Sequence, residues 1–177
     1  RGVIHSAGVL DDGLLTDLDS ERMSRVLAPK VDGAWQLHVL TKQADLDFFV
    51  LFSSIAGVMG GAAQANYAAA NTFLDGLASY RQARGLAGVS IAWGPWAEGG
   101  MAANLGASDQ ARMERQGFTP LEAQTGMRLL DAAIRSDGAL AVTTALDTRR
   151  LQSSFEASGA EIPSLFKSLI RSSASSG

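Results

Sequence analysis

The sequence contains no cysteine, and its 177 residues include only two histidines, His5 and His38. Without cysteine there is no disulfide framework, no thiolate metal ligand and no thiol nucleophile. The two histidines are too far apart in the sequence to resemble a zinc-binding motif. We therefore expect neither a metal site nor cysteine chemistry.

An excess of positive charge and a long apolar run are also missing. The 15 lysines and arginines are outnumbered by 18 acidic residues, and no basic cluster is interleaved with aromatics, which argues against a nucleic-acid partner. No apolar run approaches the roughly 18 residues of a membrane span, and the first residues do not resemble a signal peptide. We expect a soluble, cytoplasmic protein with no membrane partner.

Short apolar segments bounded by Gly or Ser recur along the chain, with helical patterns between them. Four strands are predicted at residues 2–4, 48–52, 89–93 and 140–144. Three helices are predicted at residues 18–40, 63–84 and 120–136. Because strands and helices alternate, the sequence predicts an α/β fold, a parallel sheet with helices on its faces.

Polar residues follow the second predicted strand and begin the next helix. Ser53 and Ser54 end the strand, and Tyr67 and Asn71 are spaced four apart, which places them on one helical face. Strand end and helix start then face one crevice. Taken alone, Tyr67 is typical of a packed aromatic with a satisfied hydroxyl, and Ser53 of a hydrogen-bonding partner within the strand.

Three motifs carry a resemblance to a known family. Ser-Ser-Ile-Ala-Gly at 53–57 and Gln-Ala-Asn-Tyr-Ala-Ala-Ala-Asn at 64–71 resemble the ketoreductase domains of modular (type I) polyketide synthases, in the short-chain dehydrogenase/reductase superfamily. Most members of that superfamily carry Tyr-x-x-x-Lys, whereas this chain has Asn71 at the lysine position. In the polyketide branch an earlier helix supplies the lysine, and Ala-Pro-Lys-Val-Asp-Gly at 28–33 matches that motif. Lys30 is one of only three lysines, against twelve arginines.

The resemblance implies a reaction and a catalytic set: Tyr67, Ser54, Lys30 and Asn71. Hydride from NADPH would reduce the β-keto group of an intermediate held on the phosphopantetheine arm of an acyl carrier protein. Tyr67 would protonate the oxygen, Ser54 would hydrogen-bond to it, and Lys30 and Asn71 would hold the cofactor ribose and a proton-relay water. We expect the Lys30 ammonium to lower the pKa of the Tyr67 phenol.

Further positions are implied by the same resemblance. The turn formed by His5, Ser6, Ala7 and Gly8 would lie against the cofactor, although His5 and His38 also suit structural roles. Gly94, Pro95 and Trp96 would form the loop beside the nicotinamide, within a mobile lid predicted at about 94–118.

A stereochemical type is implied as well. Leu10, Asp11 and Asp12 match the Leu-Asp-Asp motif of B-type ketoreductases, which set the D configuration. Met59 stands where the A type has tryptophan, and Ala69 is not the proline associated with epimerisation. Without the resemblance, Asp11 and Asp12 would be interpreted as turn-capping residues.

The sequence lacks the strand, Gly-rich turn and helix that bind a dinucleotide pyrophosphate, and Gly60-Gly61 does not have that spacing. We therefore expect an incomplete Rossmann-like fold whose missing N-terminal part pairs with the apolar edge at residues 2–4. The predicted organisation is a catalytic part at 1–146, a post-ketoreductase segment at 147–171 and a flexible linker or chain end at 172–177. Two alternatives stand beside the reductase: a non-catalytic fragment unable to bind NADPH alone, and a stand-alone short-chain reductase. The Lys30/Asn71 exchange disfavours the second of these.

Overall fold

The computed structural model describes residues 1–98, 111, 113–115 and 117–174, with side chains described up to residue 170. The chain divides into two units, one formed by Arg1–Trp93 with Gln124–Thr143 and the other by Gly94–Ala123 with Thr144–Gly177. The described strands are β1 Gly2–His5, β2 Phe48–Ser54, β3 Val89–Trp93, β4 Phe118–Thr119, β5 Leu140–Thr143 and β6 Ala145–Leu146. The described α-helices are α1 Ser20–Leu27, α2 Gly33–Thr41, α3 Ile55–Met59, α4 Ala65–Gln82, α5 Ala123–Ile134, α6 Thr148–Ser158 and α7 Ser164–Ala174.

The first unit is built on a parallel sheet in the order β1-β2-β3-β5. All five residues of β3 are buried, as are Phe49, Val50 and Leu51 of β2. Such near-continuous apolar strands are typical of a parallel sheet that helices cover on both faces, because neither face meets water. The α/β prediction is confirmed, and the four predicted strands lie within two residues of the observed ones at each end.

The first predicted helix is divided in the structure. Helices α1 and α2 are joined by a five-residue π-helical segment, Ala28–Asp32, in which the Gly33 N–H donates to the Ala28 carbonyl five residues earlier. Pro29 accounts for the interruption, since proline has no N–H and its ring crowds the preceding helical turn. π-Segments inside helices are frequent at functional sites.

The other helices agree more closely with the patterns. Helix α4 begins two residues after the predicted start because Ala63 has a positive φ of 59°, outside the helical region. Helix α5 lies inside the predicted 120–136. The five-residue α3 and the two-residue strands β4 and β6 were not predicted, because a period cannot be read from so few residues.

The core of the first unit lies between the sheet and helices α2 and α4. Its buried apolar members are Ala34, Phe49, Leu51, Leu74, Leu77 and Ala78. A charged residue borders this core: Arg81 is only 1% exposed. Its guanidinium stacks 3.7 Å from the Phe49 ring centroid, and it hydrogen-bonds to the Ala87 carbonyl at 2.7 Å and to His38 Nδ1 at 3.0 Å. These contacts satisfy a cation that burial would otherwise penalise.

The second unit contains the antiparallel pair β4–β6 and helices α6 and α7. The Asp147 side chain caps α6 by accepting from the N–H groups of Arg149 and Arg150, at 3.0 and 3.1 Å. Gly117 has a φ of 84°, and a Cβ there would come within 3.1 Å of the Leu151 nitrogen, so the position requires glycine. Helix α7 extends to Ala174, beyond the predicted boundary at residue 171.

Candidate active site

The candidate site lies at the carboxyl edge of the sheet in the first unit. His5 ends β1 and Ser54 ends β2, and the carboxyl ends of parallel strands meet at one edge, where open α/β sheets bind ligands. Helix α4 brings Tyr67 and Asn71 to the same place, and both residues are buried. The structure therefore brings together residues that are up to 66 positions apart in the sequence, from His5 to Asn71.

Lys30 reaches the site from the π-helical segment and is 1% exposed. Its Nζ donates to the Phe52 carbonyl at 2.9 Å and lies 5.7 Å from the centroid of the Tyr67 ring. Burial lowers the pKa of Lys30 to about 8, against a weaker opposing attraction from Asp75. The ammonium is thus desolvated, with a pKa close to neutral pH.

His5 holds the segment that carries Lys30. Its Nε2 lies 2.9 Å from the Pro29 carbonyl oxygen. Because a carbonyl can only accept, Nε2 carries the proton and Nδ1 is left as an acceptor. That Nδ1 is buried and has no hydrogen-bond partner among the described residues. Burial also lowers the pKa of His5, which keeps the ring neutral.

The electrostatic environment of Tyr67 differs from the sequence-based expectation. Burial raises the pKa of the phenol, repulsion by Asp12 adds to the effect, and the side chains of Ser54 and Asn71 act in the opposite direction. The expected lowering by Lys30 is not observed because desolvation dominates and the ammonium donates to the Phe52 carbonyl. Tyr67 therefore holds its proton at neutral pH.

The two neighbouring serines are held differently. The Ser54 hydroxyl caps α3 by accepting from the Ala56 N–H at 3.2 Å, so its position is fixed by the start of that short helix. The Ser53 hydroxyl is buried and donates to the Asn71 carbonyl at 3.2 Å. Ser53 thus joins strand to helix, whereas the sequence suggested a partner within the strand, and Ser54 interacts with Tyr67.

Asn71 is fully buried, and its amide is only half satisfied. Nδ2 donates to the Tyr67 backbone carbonyl at 2.7 Å, whereas Oδ1 has no hydrogen-bond partner among the described residues. Gly57 allows α3 to approach it: a Cβ at Gly57 would lie 3.1 Å from Asn71 Cβ and 3.2 Å from the Thr72 nitrogen. The glycine of the Ser-Ser-x-Ala-Gly motif is thereby explained by helix-to-helix contact.

The loop that follows β1 is tied to the start of α4. Asp11 accepts from Arg22 at 2.9 Å and from Arg25 at 2.5 Å, while Asp12 is exposed and accepts from Gln64 Nε2 at 2.8 Å. Leu10 and Met59 are half-buried, and Met59 ends α3. No role was expected from the sequence for Arg22, Arg25, Gln64 or Asn66.

The remaining sequence candidates follow β1 or belong to the second unit. Ser6 and Ala7 are exposed and Gly8 half-buried where the chain leaves β1. Gly94, Pro95 and Trp96 belong to the second unit, where a Cβ at Gly94 would lie 2.9 Å from Thr144 Cβ and Trp96 forms a bridge with Leu121. Of the predicted lid, residues 99–110, 112 and 116 lie outside the described residues.

No group of three or more His, Asp or Glu side chains that could hold a metal ion occurs in the part of the chain that the structure describes. Across the same residues, no helix has the length and apolar character that crossing a membrane requires.

Comparison with known proteins identifies the class. Residues 1–98 match the KR domain family. The chain is 51% identical over 172 residues to the phenolphthiocerol synthesis polyketide synthase type I Pks15/1 of Mycobacterium bovis, a match that covers 97% of the chain and 8% of that relative. A solved A-type ketoreductase from a modular polyketide synthase matches with 40% identity and a TM-score of 0.81, covering 88% of this chain and 33% of that one. The ketoreductase from the first module of phoslactomycin biosynthesis in Streptomyces sp. HK803 matches with 41% identity and a TM-score of 0.80, covering 92% and 37%.

These matches define a Rossmann-like fold of the short-chain dehydrogenase/reductase type. The chain belongs to the KR domain family, as part of a ketoreductase domain of a type I polyketide synthase. It spans about a third of the length of the solved ketoreductases and 8% of the length of the mycobacterial synthase.

Proposed function

We propose that this chain supplies the catalytic residues for NADPH-dependent reduction of the β-keto group of a polyketide intermediate to a β-hydroxyl. The observation that carries the proposal is the grouping of buried Tyr67, Lys30 and Asn71 with half-buried Ser54 at the carboxyl edge of the sheet. The substrate would be held by acyl carrier protein, and the preceding part of the ketoreductase fold would complete the cofactor site. In this proposal residues 1–146 form the catalytic part and 147–171 the segment that follows it.

Two buried acceptor atoms fit a bound cofactor. Asn71 Oδ1 and His5 Nδ1 have no partner among the described residues, and a buried acceptor without a donor is costly. Hydroxyl groups of a ribose or an ordered water would satisfy such atoms. Lys30, Tyr67 and the turn at residues 5–8 would hold NADPH; when bound, the cofactor supplies hydride to the β-carbonyl carbon.

The proton comes from Tyr67. Its raised pKa keeps the phenol in the acid form at neutral pH, ready to donate to an oxygen that gains negative charge. The Ser54 hydroxyl donates a hydrogen bond to the same oxygen, in the manner of an oxyanion hole. Lys30, with a pKa of about 8, is mainly an ammonium at neutral pH, and its charge stabilises the phenolate left after proton transfer.

We further propose a B-type, non-epimerising reductase that forms the D-hydroxy product. The Leu10-Asp11-Asp12 loop, Met59 and Ala69 support it, and the loop is bonded to the start of the helix that carries Tyr67. An A-type ketoreductase is among the similar solved structures, so the stereochemical proposal rests on these residues and not on overall similarity.

The test uses the complete ketoreductase domain, a β-ketoacyl thioester and NADPH oxidation. Tyr67→Phe removes only the hydroxyl and should lower kcat by about 10² to 10⁴, the range typical of a general acid. Tyr80→Phe is the matched control, because Tyr80 is the other tyrosine and belongs to the Trp35–His38 ring cluster, where its ring also stacks on Arg84.

Unchanged kcat in Tyr67→Phe refutes the proposed mechanism. If the complete wild-type domain oxidises NADPH with a β-ketoacyl thioester but this chain alone neither binds nor oxidises NADPH, the chain by itself is the non-catalytic fragment of the alternative; if the complete domain also oxidises no NADPH, the proposed function is refuted.

A further inference from the structure

The π-helical segment that carries Lys30 deprives one backbone carbonyl of its regular helical donor. In an α-helix the Gly33 N–H would donate to the Pro29 carbonyl, four residues earlier. Here that N–H donates to the Ala28 carbonyl instead. The Pro29 carbonyl accepts from His5 Nε2, at 2.9 Å. A side chain of strand β1 thus takes the place of a helical N–H.

The His5 ring is held at the end of β1 as a neutral donor. It is 6% exposed, and its residue is paired in register with Leu51 of β2. A Cβ at Gly33 would lie 3.4 Å from His5 Nε2, so the start of helix α2 packs against the ring. Burial lowers the pKa of His5 against the opposing effect of its bond to Pro29, so the ring stays neutral with a single N–H. That N–H is the donor that the Pro29 carbonyl uses.

Lys30 is therefore held at both ends by two neighbouring strands. The Pro29 carbonyl belongs to the same planar peptide unit as the Lys30 nitrogen, so the bond from His5 fixes the plane from which the lysine extends. At the other end, Lys30 Nζ donates to the Phe52 carbonyl of β2 at 2.9 Å and lies 5.7 Å from the Tyr67 ring centroid. A lysine stem is flexible, so the ammonium keeps one position only if its backbone is also fixed.

We infer that His5 is a positioning residue for Lys30: by donating to the Pro29 carbonyl it keeps the ammonium against Tyr67, where the proposed reaction needs a cation. This role rests on the proposed ketoreductase function, and it belongs to Nε2 and not to Nδ1, the nitrogen that fits the cofactor. Without the His5 donor, the Gly33 N–H is free to return to the Pro29 carbonyl. The turn that carries Lys30 then changes its pitch, and the ammonium moves away from the phenol towards water.

Two amide substitutions separate the two nitrogens of the His5 ring. The amide nitrogen of Gln reaches the position of His Nε2, so His5→Gln keeps the donor to the Pro29 carbonyl and loses the acceptor at Nδ1. The shorter side chain in His5→Asn keeps an acceptor near the position of Nδ1 but does not reach Pro29. Each variant replaces a neutral ring with the same neutral amide, so no charge changes and only the reach of the donor differs.

The first measurement is steady-state reduction of a β-ketoacyl thioester by the complete ketoreductase domain. At saturating NADPH, His5→Asn should lower kcat by about 100-fold, the order of loss that a misplacement of about 1 Å produces, and should leave KM for NADPH near that of wild type. His5→Gln should keep kcat near that of wild type. Thr41→Val is the matched control, because it removes a side-chain donor to a backbone carbonyl, Leu37 at 2.6 Å, at the other end of helix α2. Its kcat should be that of wild type.

The titration of Lys30 is a second measurement, which a merely structural role would not change. Burial lowers the pKa of Lys30 to about 8, and attraction by Asp75 of α4 acts in the opposite direction. The neighbouring titratable groups of β1 and α4, His5 and Tyr67, are neutral at pH 7, and β2 contributes the Phe52 carbonyl. NMR of ¹³C-labelled lysine, with Lys30→Met to identify the signal, should show the wild-type pKa in His5→Gln. In His5→Asn the pKa should rise towards 10.5, because the ammonium reaches water.

Two results overturn the inference. One is a His5→Asn variant with the kcat and the Lys30 pKa of wild type, and the other is a folded His5→Gln variant that loses as much kcat as His5→Asn. If a thermal melt shows that His5→Asn does not fold, His5→Gln decides: wild-type kcat and Lys30 pKa support the role, and loss of both overturns it. The titration uses the domain without substrate or cofactor, so it tests the placement of Lys30 even if full activity of Tyr67→Phe defeats the proposed function.

Discussion

Replacing Lys30 with methionine is expected to stabilise the ketoreductase domain while abolishing its activity. Methionine has a similar unbranched stem and fills the same buried space without the charge. The Lys30 ammonium is 1% exposed and lies over the Tyr67 ring, and its only described hydrogen bond is to the Phe52 carbonyl. The domain therefore tolerates an unfavourable burial at the position where the proposed reaction needs a cation.

The cost follows from the pKa. Lowering the Lys30 pKa from 10.5 to about 8 corresponds to about 3 kcal/mol of destabilisation at neutral pH, since each pH unit is about 1.4 kcal/mol. Loss of the hydrogen bond to the Phe52 carbonyl should destabilise the variant by about 1 kcal/mol. Lys30→Met should therefore raise the free energy of unfolding by about 2 kcal/mol at pH 7.

The sign can be checked against pH. Because the folded-state pKa is below the unfolded one, the unfolded chain binds the proton more tightly between pH 8 and pH 10.5. Wild-type stability contributed by Lys30 is complete above pH 10.5 and is lost as pH falls through this window to about 8. The advantage of Lys30→Met should thus be largest below pH 8 and should shrink as pH rises towards 10.

Urea unfolding followed by tryptophan fluorescence measures the difference between variant and wild type at pH 7 and pH 9.5. Taking the difference cancels the other groups that titrate in alkali. Either of two results refutes the reasoning: a variant less stable than wild type at pH 7, or an advantage of equal size at both pH values.

Three further predictions concern neighbouring groups. Ser53→Ala removes a buried hydrogen bond to the Asn71 carbonyl, so it should lower the free energy of unfolding by about 1 kcal/mol while kcat stays within about twofold of wild type. Ser54→Ala should instead lower kcat about 100-fold. Urea unfolding measures the first effect and NADPH oxidation the second. Gly57→Ala places a Cβ 3.1 Å from Asn71 Cβ and should lower both kcat and stability, the latter by about 1 kcal/mol; equal melting temperatures would contradict this. Burial and Arg81 lower the pKa of His38, so the stability that the neutral ring contributes should be complete above about pH 6.5 and should be lost as pH falls from there through the folded-state pKa. His38→Gln keeps an acceptor for Arg81 but does not titrate. Urea titrations at pH 7.5 and 5.5 should therefore show a smaller loss of stability in the variant than in wild type.

Much of the fold and of the grouping of the candidate site residues could be predicted from sequence. The buried strands of the first unit are apolar runs with clear Gly or Ser boundaries, so the parallel α/β sheet was predicted to within two residues at each strand end. Tyr67 and Asn71 share a helical face by spacing alone, and Lys30 was marked by its motif and by the scarcity of lysine.

The protonation behaviour of the site and the links that hold it depend on tertiary structure. The sequence places an ammonium near a phenol and so predicts a lowered tyrosine pKa. In the fold both groups are buried, so desolvation raises the pKa of the tyrosine and lowers the pKa of the lysine to about 8; both groups keep their protons at neutral pH. Likewise Asn66 is an ordinary helix-start residue in the sequence, and only the return of the Asp11 loop past α4 gives its amide two partners. A pKa and a long-range hydrogen bond both depend on what lies within a few ångströms in space, and local sequence patterns contain no record of those distances.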